Sequence, residues 1–184
     1  MGHPQVRTGS GNVEFNGYFH GYSLNAVDAK GRVSLPQFIR QVVEKRIHPD
    51  LSPSEFPSAD RSILLGEHEV HCCLEGFDPT YSRIIAEDVA EAAAARGGSR
   101  RTAWSDEGMD SFASSLPVGY DDVGRMVISA MNRHFVGITN LAFFVGAGQT
   151  FQIWSPENFR EQQAHQKRAM KILDYMLAEK AGKA

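Results

Sequence analysis

Asp28-Ala29-Lys30-Gly31-Arg32-Val33-Ser34-Leu35 and Asp121-Asp122-Val123-Gly124-Arg125-Met126-Val127-Ile128 share one pattern: D-x-x-G-R, then apolar, any, apolar. Eight residues beyond each motif arginine stands another, Arg40 and Arg133. Asp28 and Asp121, Arg32 and Arg125, Arg40 and Arg133 are all separated by the same 93 residues. Such regularity implies one structural unit used twice. In each copy the aspartate suits a turn because its carboxylate accepts hydrogen bonds from nearby backbone N–H groups. The glycine supplies the positive φ that closes the turn.

Outward from the first copy, residues 18–27 partly alternate apolar with polar, as a strand does. Val33 and Leu35 flank Ser34 in a second short strand, so the reading is a hairpin whose tip carries Lys30 and Arg32. Pro36 precedes a helix over residues 37–46, with Phe38, Ile39, Val42 and Val43 at helical spacing. Residues 48–60 hold three prolines and read as a loop, an insertion. Residues 62–65 and 69–74 read as strands around a turn at Gly66, and Asp78-Pro79 opens a helix reaching Ala95.

The second half repeats the plan. Residues 115–120 lead into the second tip, 126–128 follow it, and 130–136 form a short helix. Residues 141–145 and 150–154 are strands around a turn at 146–149. Ser155 caps a helix with Pro156 at its first position, and a long final helix runs toward Glu179. Met170, Leu173, Met176 and Leu177 make an apolar stripe along it. The stretch 96–115 is the least legible; Arg100-Arg101 reads as basic surface and 105–108 as a turn.

The bulk properties narrow the function. The 184 residues carry a net charge of −3, so DNA binding requires cations gathered on one face or supplied by several subunits. No apolar run approaches the ~20 residues that cross a bilayer, and residues 1–17, Gly-rich and polar, lack the apolar centre of an export signal and are expected to be mobile. The adjacent Cys72 and Cys73 are the only cysteines and close no loop, which fits a reducing cytoplasm. His68, His71, Cys72 and Cys73 invite a metal. Strand geometry would split them into pairs on opposite faces, so no metal site is expected. Gly146-Ala147-Gly148 lacks the third glycine and following helix of a phosphate loop. No catalytic constellation stands out; neither enzyme activity nor a cofactor is expected.

Two copies of the motif in matching strand-turn-strand-helix settings, with Asn25 to Arg32, Leu35-Pro36 and Phe151-Gln152-Ile153-Trp154-Ser155-Pro156-Glu157 as the strongest local matches, resemble the MraZ family of bacterial transcriptional regulators over residues 19–165. The resemblance implies an α+β fold: a tandem swapped-hairpin β-barrel core, similar to AbrB-type regulators and MazE-type antitoxins, with packed helices. Both copies in one chain then make an intramolecular pseudo-dimer. The implied organisation is a flexible tail (1–17), two repeats (18–96 and 97–165) and a helical extension (166–184).

It further implies a cytoplasmic, nucleoid-associated protein that forms a ring homo-oligomer. The ring would bind double-stranded promoter DNA at closely spaced GGG-containing direct repeats upstream of the division and cell-wall gene cluster, mainly as a repressor. An antitoxin-like protein-interaction module is the alternative on the same fold. Such a module usually ends in a disordered tail that folds on its partner.

A single Asp–Arg turn reads equally well as a structural ion pair. Duplication and resemblance together assign Arg32 and Arg125 as DNA readers, since the guanidinium fork matches guanine O6 and N7. Lys30 is a phosphate contact. Asp28, Gly31, Asp121 and Gly124 fix the turns, and Arg40 and Arg133, on the helices behind the tips, are secondary candidates. Two departures stand out: Val123 replaces Lys30 in the second copy, and Ser129 replaces Pro36, which is expected to weaken that helix start.

Overall fold

The strands of the two halves alternate partners. In the computed structural model, which describes residues 17–97 and 112–182, the first half contributes β1 (Tyr22–Ala26), β2 (Arg32–Ser34), α1 (Gln37–Ile47), β3 (Ser62–Glu67), β4 (Leu74–Phe77) and α2 (Ser82–Ala95). The second contributes β5 (Leu116–Gly119), β6 (Arg125–Val127), α3 (Ala130–Phe135), β7 (Leu141–Ala147), β8 (Thr150–Trp154), α4 (Pro156–Gln162) and α5 (Lys167–Lys180). Six strands form one antiparallel sheet in the order β1-β7-β8-β4-β3-β5. β1 thus lies on the β7–β8 hairpin of the second half, and β5 on the β3–β4 hairpin of the first. The two hairpins meet where β4 pairs with β8, giving the molecule an internal twofold relation.

This architecture is α+β, but the sheet is open: β1 and β5 end it on opposite sides and do not pair. The expected closed barrel is therefore corrected. So is the local hairpin: β2 does not pair with β1. It leaves the sheet and pairs antiparallel with β6, in a separate two-stranded ribbon.

Period-two alternation sorts the side chains of the sheet. Ala142, Phe144, Phe151 and Ile153 join Val33, Leu35, Ile39, Val43, Met126 and Ile128 in the larger core, beneath α1 and the ribbon. Leu24, Phe143 and Trp154 face the other way and pack with Phe159 of α4 and Ala169 and Leu173 of α5. The apolar stripe of the last helix is thus spent on its own body. In β4, a Cβ on Gly76 would strike the buried Phe151 ring opposite it, so any larger residue would displace that ring.

Other boundaries move for local reasons. Gly66 lies inside β3, paired with Glu75, not in a turn; lacking a Cβ, it admits the Ser114 carbonyl. The turn falls at 68–73, where His68 Nδ1 accepts hydrogen bonds from the backbone N–H groups of Val70 (3.1 Å) and His71 (3.3 Å). The β7 strand continues through Gly146 to Ala147. α2 begins at Ser82, since the Asp78 carboxylate first accepts the Thr80 N–H (3.0 Å) and organises a turn. The helix opened by Ser155 stops at Gln162, and the final helix starts at Lys167, after Gln166. Ser129 does not weaken the start of α3; its hydroxyl accepts the Asn132 N–H (3.1 Å), a cap that Pro36 cannot supply to α1. The sequence readings at Arg100-Arg101 and 105–108, and those for residues 1–16, fall outside the described residues.

Candidate nucleic-acid interface

Each D-x-x-G-R segment builds the same turn from its own atoms. Asp28 Oδ1 accepts the backbone N–H groups of Lys30 (2.9 Å) and Arg32 (2.9 Å), and its Oδ2 takes the Arg32 Nε–H (2.5 Å). Gly31 donates to the Asp28 carbonyl (2.8 Å), and Asp28 N–H donates to the Arg32 carbonyl (3.1 Å). In the second copy Asp121 holds Val123 N–H (3.1 Å), Arg125 N–H (2.7 Å) and Arg125 Nε–H (2.6 Å). These bonds, first from the arginine backbone N–H and then from its guanidinium, hold both carboxyls below their ordinary value. The carboxylates are consequently ionised and paired throughout the physiological range, and Asp121 raises its arginine partner.

Each arginine is paired with its aspartate through Nε. The Arg32 and Arg125 side chains are 63% and 70% exposed. The ribbon register, Arg32 opposite Val127, Val33 opposite Met126 and Ser34 opposite Arg125, sends Val33 and Met126 into the core. Arg32, Ser34, Arg125 and Val127 therefore share the outer face, with the two arginines in diagonal positions, about 7–8 Å apart at the backbone. Lys30 is exposed at the apex of the first tip.

The glycines make the two tips dependent on each other. Gly31 and Gly124 have φ of 82° and 86°, in the left-handed region. A Cβ on Gly31 would collide with the Ile128 carbonyl oxygen and lie 2.9 Å from Arg133 Nε. A Cβ on Gly124 would lie 2.7 Å from Arg40 Nε and 3.0 Å from the Leu35 carbonyl oxygen. Backbone bonds cross as well: Ile128 N–H donates to Gly31 O (2.9 Å) and Leu35 N–H to Gly124 O (2.7 Å). Arg40 of the first half thus sits beneath the tip of the second, its Nη1 donating to the Asp122 carbonyl (3.4 Å), and Arg133 sits beneath the tip of the first. Sequence reasoning placed both arginines behind the tips without seeing the exchange. Their shared 93-residue offset was the available signal.

The histidine–cysteine cluster gathers differently. His68 and His71 rings lie 4.9 Å apart, while Cys73 is buried, its thiol pushed up by burial. Cys72 Sγ donates to the Phe135 carbonyl. Among the described residues, no three His, Cys, Asp or Glu side chains could hold a metal ion together, and no helix is long and apolar enough to cross a membrane.

The family model described as "MraZ protein, putative antitoxin-like" matches residues 112–177. A protein of Ruegeria sp. (strain TM1040) named transcriptional regulator MraZ is 35% identical over 156 residues, covering 85% of this chain and 87% of that protein. Proteins of the same name from Ruegeria pomeroyi and Gluconobacter oxydans are 32% and 30% identical, and the matches cover 79% and 82% of this chain and 81% and 84% of theirs.

Proposed function

The chain belongs to the MraZ family, and on that premise we propose that it is a DNA-binding transcriptional regulator acting mainly as a repressor. Its operators are closely spaced GGG-containing direct repeats in the promoter of the division and cell-wall gene cluster. It works in the cytoplasm, on the nucleoid, as a ring-shaped homo-oligomer of intramolecular pseudo-dimers, each made from repeats 18–96 and 97–165.

One observation carries the reading: the β2–β6 ribbon presents two exposed, pre-oriented guanidinium groups on a single outward face. The major groove admits a two-stranded ribbon, and a guanidinium fork fits the acceptor edge of guanine. Holding each arginine by Nε reduces the rotamer freedom lost on binding while keeping its Nη donors available. Asp28 and Asp121 act as turn-fixing residues, and Arg40 and Arg133 brace the opposite tips. One ribbon offers few cations on a chain of net charge −3. A ring that places several ribbons on successive repeats gains from the effective concentration of each later contact. The antitoxin-like alternative is less favoured, since α5 packs its apolar stripe on β1 and β7.

Gel shifts on a duplex of GGG-containing direct repeats, against the same duplex with the triplets scrambled, test the reading. A shift that needs intact triplets supports it; equal binding to both duplexes, or none, ends it. Lys30→Gln should lower the slope of log affinity against log salt by about one per engaged tip while leaving the preferred sequence unchanged. An unaltered slope would remove the phosphate role of Lys30.

A further inference from the structure

We propose that Val127 contacts a thymine methyl group beside the guanine met by Arg32, and that this gives the ribbon a fixed direction on DNA. The inference rests on the DNA-binding reading above.

The outer face of the ribbon is twofold in plan but not in chemistry. Under the internal relation Arg32 matches Arg125 and Ser34 matches Val127. One end therefore pairs Arg32 with Val127, and the other pairs Arg125 with Ser34. Val127 is 50% exposed, its neighbour Met126 being the residue that faces the core. Strands favour valine in general. Yet the matched position holds an exposed serine in the same ribbon geometry, so folding does not call for an apolar group there.

An apolar side chain directly opposite an outward guanidinium is placed to meet an apolar group on the surface that the guanidinium reads. In the major groove that partner is the C5 methyl of thymine, whereas serine accepts either base type. Directly opposed Cβ atoms lie about 4.5–5.5 Å apart, within one to two base steps of roughly 3.4 Å each. The apexes add to the inequality: Lys30 at the first tip, and Val123, 55% exposed, at the second. A ribbon with equal ends would suit an inverted repeat. Unequal ends suit repeats that all point one way.

The test uses the full chain and a duplex of GGG-containing direct repeats with thymines beside each triplet, synthesised with thymidine or with deoxyuridine. Losing one buried methyl should weaken wild-type binding about fourfold per contacted repeat. Val127→Ser, which gives both ends of the outer strand face the same arginine–serine pair, should bind both duplexes alike. Equal wild-type affinity for the two duplexes would overturn the proposal, as would discrimination that persists in Val127→Ser. A change of assembly size in Val127→Ser, seen by light scattering without DNA, would place Val127 in a subunit contact and overturn it too. No wild-type binding to either duplex would remove the DNA-binding reading itself, a result separable from binding that ignores the methyl.

Discussion

Replacing Arg32 and Arg125 together by alanine is expected to abolish repeat-specific DNA binding and leave the fold intact. Both side chains are more than half exposed, and each is paired with the aspartate of its own turn. Asp28 and Asp121 keep their backbone N–H partners in the variant, so the turns persist. An exposed i,i+4 ion pair contributes little to stability, and the melting temperature should barely move. Binding responds differently. Each bidentate guanine contact is worth roughly 5- to 150-fold in discrimination, and each truncation also bares a carboxylate toward phosphate. Two losses per ribbon, multiplied over ribbons acting together, should exceed 100-fold at moderate salt. Arg32→Lys with Arg125→Lys sharpens the measurement. It keeps the charge and removes the fork, so general affinity should largely remain while preference for the triplets falls. A folded double-alanine variant with undiminished specific affinity would dismiss the ribbon as the reading element.

Asp78→Ala should be the most damaging of the polar substitutions, costing about 3–5 kcal/mol. Asp78 is fully buried, and its Oδ2 receives Arg46 Nη1–H at 2.6 Å, where the arginine side chain is only 12% exposed. Arg46 also donates to the Gly17 carbonyl (2.7 Å) and the Gln149 carbonyl (2.9 Å) and lies 4.7 Å over the Phe19 ring. It thereby ties the end of α1 to the entry of β1, the β7–β8 turn and the end of β4. Removing the carboxylate strands a desolvated cation at that junction. For a chain of this size the loss corresponds to about 6–20 °C in melting temperature. Asp78→Leu combined with Arg46→Met should recover much of it, because an apolar pair carries no unpaired charge. Arg160–Asp174, at 2.5 Å but 51% and 56% exposed, is the control; breaking it should cost less than about 1 kcal/mol. A small effect at Asp78, matching that at Arg160, would show that burial does not govern this pair.

How far the sequence reaches is clearest at the tips. The hydrogen bonds that Asp28 accepts from the Lys30 and Arg32 N–H groups span at most four residues, so spacing alone specifies them. The same holds for the Ser155 cap, whose hydroxyl accepts the Asn158 N–H (3.1 Å). Gly66 misled because a glycine that admits a neighbouring carbonyl looks, in sequence, like one that turns the chain. The outward arginines were legible as candidates. Val127 was not, since an alternating strand pattern does not say which face meets solvent.

The amino-acid order by itself determined the duplicated turn, its glycine and aspartate chemistry, the helix faces and the family, because each depends on bonds or periodicities a few residues long. Only the tertiary structure decided which strands pair: β2 with β6 rather than with β1, β1 with β7, and a sheet left open at both edges. Two copies of one unit offer nearly the same backbone bonds within a half as between halves. The choice falls to the long-range burial of Val33, Met126 and their neighbours, and to arginines from each half seated beneath the other's glycine.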